Sequence, residues 1–373
     1  MNTRDGVIGR SPIASRLCGH HLQKERDMSK VVGLDISLQK TAICVLERNG
    51  EVVWQGKVGS DPGSLIERLR PWQGEIDLVG LEACPLSEWL HRELVAAGFE
   101  AICIETRHAQ RFLSTRPVKT DRNDARGIAE MMRIGHYRPV HVESPDAQLT
   151  RTILQARRQI VASLLQVQGT IRGLLKTHGL KMGRTQRQQF SKRVRDLASE
   201  MPSLAIAFGP LLRVLERLLE ERHGLDLLLA RAARQDDVCL RLMTIPGVGP
   251  ITSLAYRATL DDPARFVSSK AVGAHIGLTP RVYQSGEIDR SGQISKAGDK
   301  ILRHLLYEAA SALMTRTAQH STLRAWGIAI ARRRGAKRAR VAVARKLAVI
   351  MHRIWVSGGR FEPEVGSKVP ASA

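Results

Sequence analysis

Two carboxylates three residues apart, Asp121 and Asp124, lie in the stretch Lys119-Thr120-Asp121-Arg122-Asn123-Asp124-Ala125-Arg126. Thr120 or Asp121 can cap a helix that continues through Gly127-Ile128-Ala129-Glu130-Met131-Met132. Residues at i and i+3 share a helix face, so both acids can aim at one point. Taken alone, acids in a first turn only complement the helix dipole. Two further acids change that reading. Asp35 interrupts the apolar run Val31-Val32-Gly33-Leu34-Asp35-Ile36, and Glu82 ends Ile76-Asp77-Leu78-Val79-Gly80-Leu81-Glu82. Singly, the first would be a turn former and the second a solvated strand end. Four acids in one place repel and raise one another's pKa unless a cation sits among them, and hard carboxylate oxygens suit Mg²⁺ or Mn²⁺. Such ions can activate a nucleophile and stabilise the leaving oxygen of a phosphodiester. The joint pattern of Asp35, Glu82, Asp121 and Asp124 therefore predicts metal-dependent phosphoryl transfer.

The elements around these acids must bring them together. Asn49-Gly50 is a hairpin turn signal, so residues 31–37, 40–47 and 51–57 read as three antiparallel strands. A helix over about 61–70, a buried strand over 76–82, a helix over 85–97, a strand over 99–104 and a helix over 106–114 follow. The order βββαβαβα is that of the ribonuclease-H-like fold, in which acids ending the first and fourth strands meet acids on a late helix. Proofreading-type exonucleases use a similar acid set, but they carry Asp-x-Glu on the first strand, and here the position two after Asp35 is Ser37.

The chain of 373 residues, 43% hydrophobic, is long enough for two or three domains. Lys and Arg number 58 against 36 acids, a formal charge of +22, which points first to nucleic acid. An anionic membrane surface is the other candidate, but no apolar run approaches the roughly 18 residues of a spanning helix. Five scattered cysteines (Cys18, Cys44, Cys84, Cys103, Cys239) with no CxxC pair suggest neither a disulfide framework nor zinc, but reduced thiols of a cytoplasmic protein. Residues 1–28 read as a disordered extension or an over-called start, with no apolar core of a signal peptide. Leu149, Ile153, Ile160, Leu164, Val167, Ile171, Leu174 and Leu175 repeat at helical spacing, and a second such segment runs from about Leu211 to Leu240, broken at His223-Gly224. Between them, about 178–205, lies a basic polar loop. The middle, 146–238, thus reads as an antiparallel coiled-coil arm or as an ordinary helical insertion.

Ile245-Pro246-Gly247-Val248-Gly249-Pro250 matches the hairpin of a helix-hairpin-helix module, whose glycines Gly247 and Gly249 let backbone N–H groups approach a phosphate; an ordinary turn between helices is the alternative. A glycine-rich stretch from Thr279 to Arg303, with Ser285, Ser291, Ser295, Lys296 and Arg303, reads as a loop that binds phosphate through backbone and side chains, Lys296 and Arg303 contacting nucleic acid, or as a plain polar linker. From Ala309 to Phe361 there is no acid and there are twelve Lys or Arg, with a cluster at Arg332, Arg333, Arg334, Lys337 and Arg338. These read as basic amphipathic helices whose counter-ion is a nucleic-acid backbone. With 4% aromatics, base stacking is not expected to be the main binding mode.

Gly33-Leu34-Asp35, Leu81-Glu82 and Lys119-Thr120-Asp121-xx-Asp124-Ala125, followed by Ile245-Pro246-Gly247-Val248-Gly249-Pro250, Phe266, Gly277-Leu278-Thr279-Pro280, Ser285-Gly286, Ile294-Ser295-Lys296-Ala297-Gly298 and Leu302-Arg303, resemble the DEDD transposases of the insertion-sequence one-ten family. The resemblance spans about 30–356. It implies an α/β plus all-α chain: a ribonuclease-H-like (RuvC-like) domain over 29–145, a coiled-coil middle over 146–238, a helical C-terminal domain with a helix-hairpin-helix over 239–357, and a disordered tail over 358–373. It implies a recombinase that excises and inserts its own element, guided by a structured RNA that pairs with donor and target DNA, acting as a cytoplasmic, nucleoid-associated homo-oligomer. A serine of the C-terminal domain would complete the site with the four acids of another protomer; Ser285 is the best match, with Ser291 and Ser295 open. The rivals are a Holliday-junction nuclease using water, which needs the acids but not the serine, and a basic nucleic-acid-binding protein, which needs neither.

Overall fold

A computed structural model describes residues 29–114, 120–199, 201–285, 288–317 and 320–363. The extension expected over 1–28 and the tail beyond 363 lie outside the described residues, as do Cys18 and Lys119. The chain divides between Glu143 and Ser144 into two compact units.

The first unit follows the predicted order. Strands β1 (Lys30–Ile36), β2 (Lys40–Glu47) and β3 (Val52–Gly59) form an antiparallel meander, and α1 (Pro62–Leu69) leads to β4 (Ile76–Glu82). Then come α2 (Ser87–Ala96), β5 (Ala101–Ile104), α3 (Thr106–Leu113), α4 (Asp121–Ile134) and a two-residue β6 (Pro139–Val140). The six-stranded sheet has the order β3-β2-β1-β4-β5-β6, with β4 parallel to β1 and to β5. The order and the crossover helices are those expected of a ribonuclease-H-like fold. Strand alternation splits the core in two. Val32, Leu34, Ile43, Val45, Val79 and Leu81 pack with Leu65, Leu69, Leu90 and Leu94 of α1 and α2. On the opposite face Val31, Ala42, Cys44 and Leu46 pack with Ala125, Ile128, Ala129 and Met132 of α4. Apolar residues on both faces explain why β1 and β4 read as continuous apolar runs.

The second unit is mostly helical. The long helices α5 (Pro145–Thr177) and α7 (Pro202–Gln235) run antiparallel, with a short α6 (Phe190–Ala198) between them, where the sequence suggested only a loop. Helix α7 begins earlier than expected and is continuous through His223-Gly224. Burial of its apolar stripe outweighs the ~1 kcal/mol cost of a helical glycine. Helices α8 (Asp237–Leu242), α9 (Pro250–Leu260), α10 (Ser269–His275), α11 (Lys300–Thr315), α12 (Thr322–Arg334) and α13 (Ala336–Ser357) share one core. The expected helical C-terminal part also contains strands. Residues read as a loop form an antiparallel hairpin of β7 (Pro280–Ser285) and β8 (Ile288–Ile294). Val282, Tyr283 and the two isoleucines of β8 supply the β-branched and aromatic residues that favour strands. No helix of the described residues is long and apolar enough to cross a membrane.

Candidate functional site

Helix α4 is seated on the sheet by backbone contact. A Cβ on Gly33 would lie 2.2 Å from both Ala125 O and Ala129 N, so only glycine lets the helix approach β1 this closely. Thr120 Oγ1 accepts a hydrogen bond from the Asn123 amide (3.2 Å) and caps the helix as expected. The motif acids Asp121 and Asp124 occupy its first turn, Asp121 exposed and Asp124 half-buried. At the other end Gly135 (φ 68°) terminates it in the left-handed region.

Strand register then places a row of residues under that first turn. Lys57 pairs with Ala42, Ala42 with Asp35, and Glu82 with Ile104. Leu34 pairs with Leu81, so Asp35 and Glu82 are the next step along adjacent parallel strands. Alternation turns them to one face: Val31, Gly33 and Asp35 of β1 and Leu78, Gly80 and Glu82 of β4 lie on the side of α4. Both acids are half-buried. On β3 Trp54 and Val58 belong to the opposite core, so Gln55 and Lys57 face α4. Gln55 and Arg122 exchange two hydrogen bonds: Gln55 Nε2 donates to Arg122 O (2.6 Å) and Arg122 Nε donates to Gln55 Oε1 (2.7 Å). Beside them Lys57 Nζ donates to Asp121 Oδ2 at 2.5 Å. That hydrogen bond first, and the ammonium charge second, hold the Asp121 carboxyl below the usual carboxylate range.

The structure thus brings Asp35 and Glu82 side by side and starts the Asp121–Asp124 helix over the same sheet face. Among the described residues, it does not gather three or more His, Cys, Asp or Glu side chains into a metal-binding group. The donor chemistry of four carboxylates fits a hard divalent cation. Asp121, however, is engaged by Lys57, an internal cation that the sequence reading missed. Its signal was present in the alternation of β3, since counting from Trp54 puts residue 57 on the face of the acids.

The remaining predicted residues lie in the second unit. Ser285 ends β7, exposed, and pairs with Ile288 across the hairpin tip. Ser295 is half-buried; its amide donates to Thr279 O (2.8 Å) and its hydroxyl accepts from the Ala297 amide (3.5 Å). Ser291 pairs by backbone with Val282, and its side chain is outside the described residues. Lys296 is exposed with φ 55°. Arg303 is committed within the fold, its Nη1 donating to Ile276 O (2.9 Å) and Gly298 O (2.7 Å).

Helices α8 and α9 flank the Ile245–Pro250 turn. Gly247 has φ 91°, and a Cβ there would meet Ala309 O of α11 at 2.6 Å, so packing as well as conformation requires glycine. Gly249 caps α9, with nothing within 4 Å of its virtual Cβ. Arg332, Arg333 and Arg334 end α12 and Lys337 and Arg338 begin α13; all five are exposed around Gly335 (φ 84°).

Comparison with known proteins matches two stretches of the chain. A profile described as "Transposase IS116/IS110/IS902 family" matches residues 239–325, and an IS110-type DEDD profile described as "Transposase" matches residues 32–179. The transposase for insertion sequence element IS1111A of Coxiella burnetii is 31% identical over 360 residues, covering 93% of this chain and 95% of that protein. A probable family 20 transposase of Pseudomonas aeruginosa is 29% identical over 86% of this chain and 95% of its own length. Among solved structures, Thermus thermophilus RuvC matches over 30% of this chain and 100% of that one, at 13% identity and a TM-score of 0.21.

Proposed function

The chain belongs to the IS116/IS110/IS902 family of insertion-sequence transposases, and from that membership we propose that it cleaves and rejoins the DNA strands of its own element by metal-dependent phosphoryl transfer. The observation that carries the mechanism is the adjacency of Asp35 and Glu82 on the sheet face over which α4 starts. Asp35, Glu82, Asp121 and Asp124 would hold Mg²⁺ or Mn²⁺. Bound there, the ion would polarise a phosphate and lower the pKa of an attacking hydroxyl. Lys57 keeps Asp121 ionised and fixes the first turn of α4 to β3, so the chain carries part of the site's charge balance itself.

Ser285 is the nucleophile in this reading. Its Oγ forms a bond to phosphorus as the bond from phosphorus to the leaving strand oxygen breaks; the hydroxyl proton passes to solvent and the leaving oxygen takes one up. Attack by another strand's hydroxyl on the phosphoserine reverses the step, so bond energy is conserved and no nucleotide triphosphate is needed. Exposure at a hairpin tip supports Ser285, whereas the Ser295 hydroxyl is turned into its own loop. The acids and the serine would come from different protomers of a dimer or tetramer. A structured RNA from the element would select donor and target. The exposed Arg332–Arg334, Lys337, Arg338 and Lys296, with Gly247 and Gly249, would contact the nucleic-acid backbone, and Arg303 would brace the Lys296 turn. The setting is the cytoplasm, at the nucleoid.

The test is cleavage of a duplex carrying an element end by the full chain with Mg²⁺ and the matching RNA. Asp35→Ala and Glu82→Ala are expected to abolish cleavage, and Ser285→Ala to abolish the covalent protein–DNA adduct while leaving DNA binding intact. Undiminished cleavage by Asp35→Ala refutes the carboxylate site. An adduct that persists in Ser285→Ala assigns the wrong serine.

A further inference from the structure

A cleft of about 480 Å³ opens in the second unit between α12, α13 and the root of the β7–β8 hairpin. This volume is in the range of small-molecule sites. Its floor is apolar, formed by Leu278, Ile294, Val341, Val349 and Ile350. Its rim is cationic, with Lys270 from α10 and Arg338, Arg345, Lys346 and Arg353 from α13. No acid lines it. Trp326 of α12 forms one wall, 37% exposed, and Lys346 Nζ lies 4.8 Å from its ring centroid.

Close packing fixes these walls. A Cβ on Gly327 would lie 2.7 Å from Val343 Cγ2, so glycine sets α12 hard against α13 beside Trp326. A Cβ on Gly273 would lie 3.2 Å from Arg345 Cγ, so the stem of that arginine rests on α10. Burial first, and the charge of Arg353 second, push the Lys346 ammonium below its usual pKa. An arriving anion would relieve that crowding.

An apolar floor alone would suit a hydrocarbon or a hydrophobic side chain, and a cationic rim alone would suit any polyanion. A flat apolar body with anionic attachments on either side satisfies both at once, and that is the chemistry of a nucleotide. A base paired within a duplex cannot present its face, so the nucleotide must be unpaired; stacking on an aromatic ring beside Arg guanidinium groups is how such bases are held. We propose that this cleft binds one unpaired nucleotide of a DNA strand, with the base against Trp326 and the apolar floor and the flanking phosphates on Arg338, Arg345 and Arg353. The proposal rests on the reading that the chain handles DNA.

The test measures fluorescence anisotropy of the full chain with labelled oligothymidine of about twelve nucleotides, a length within single-strand site sizes, and with an abasic strand of equal length. Trp326→Leu is expected to weaken oligothymidine binding about tenfold, the scale of one base stacked on an aromatic ring, and to leave abasic-strand binding unchanged. Arg345→Gln and Arg353→Gln should weaken both, each lowering the salt slope by about 0.7. If Trp326→Leu melts early, Ala342→Leu narrows the cleft with the ring in place and should give the same selective loss. Equal weakening of both strands, or of neither, overturns the assignment. So does an effect confined to an oligouridine of the same length, or a change in self-association at constant affinity for DNA. If the wild type binds neither DNA strand at low salt, the DNA-handling reading fails as well. If it binds both and neither cleft variant matters, only the cleft assignment falls.

Discussion

Replacing Gly33 with alanine probes the contact that seats the acid-bearing helix on the sheet. The added Cβ would lie 2.2 Å from Ala125 O and Ala129 N and 2.9 Å from Ala129 Cα, all backbone atoms of α4. Ordinary contact begins at 3.4 Å, so the helix must withdraw by 3.4 − 2.2, about 1.2 Å, and no side-chain rotation can absorb the difference. Ala125, Ile128, Ala129 and Met132 would lose packing together. Overpacking typically costs about 1–3 kcal/mol, and a clash with backbone belongs at the upper end. The same shift moves Asp121 and Asp124 away from Asp35 and Glu82; a misplacement on the order of 1 Å can cost about 10²-fold in rate. Gly80→Ala is the graded comparison, because its Cβ would meet the flexible Met132 Sδ at 2.6 Å and should cost about 1 kcal/mol. Gly74→Ala, with nothing within 4 Å, is the neutral control. Hydrogen exchange of the α4 amides gives the local stability, and strand cleavage with Mg²⁺ gives the rate. If Gly33→Ala lies within about 0.5 kcal/mol of Gly74→Ala, the seating argument is wrong.

Other consequences can be measured independently. Asp61 caps α1 by accepting from the Ser64 amide (2.9 Å) and hydroxyl (2.7 Å), which hold its carboxyl below the usual range. A depressed folded pKa gives stability that is present above the ordinary value near pH 4 and lost as pH falls through the lower folded value; exchange of the α1 amides should follow this, and Asp61→Asn should flatten the dependence. Burial pushes the Cys103 thiol up to about 11 and the Cys239 thiol up to about 12. Among Cys44, Cys84, Cys103 and Cys239, iodoacetamide at about pH 8 should therefore modify half-buried Cys84 first, read by peptide mass; prior labelling of Cys103 or Cys239 in the folded chain would contradict this. Because these two pKa values are raised, their contribution to stability is complete below about pH 8.5 and lost as pH rises toward the folded values. Changing Arg332, Arg333 and Arg334 to Gln should flatten the salt dependence of duplex binding by about 3 × 0.9, or 2.7; an unchanged slope would remove this cluster from the DNA contacts.

The first unit was legible because its strands are buried on both faces and its turns carry strong local signals. Asn49-Gly50 ends a hairpin as predicted, and β4 spans Ile76–Glu82 as read from its apolar run. The placement of Asp35 beside Glu82 followed from that order. The partner of Asp121 did not, because a lysine on a meander strand looks like any solvated charge until its register is known. In the second unit, local signals gave way to tertiary packing. Gly286 and Gly292 made residues 280–294 read as a loop, yet Val282, Tyr283 and Ile294 support a hairpin. Gly224 suggested a helix break, and Pro210 lies within the same helix, but α7 runs through both while its apolar stripe stays packed.

The misread break at Gly224 nonetheless marks a real boundary. At about 1.5 Å per residue the 33 residues of α5 span about 50 Å, and the pair α5–α7 contributes to two separate cores. Leu154, Leu229 and Ala233 belong to the core shared with α8–α13, whereas Leu164, Ile171, Leu175, Phe208, Leu212 and Leu215 close a second core with α6. Between them the seam is polar: Arg157 Nε meets Asp226 Oδ1 at 2.5 Å, and Arg222 approaches the same carboxylate at 3.7 Å. An ion pair transmits little cooperativity compared with continuous apolar packing. Hydrogen exchange is therefore expected to show the amides of the distal half opening before those of the proximal half.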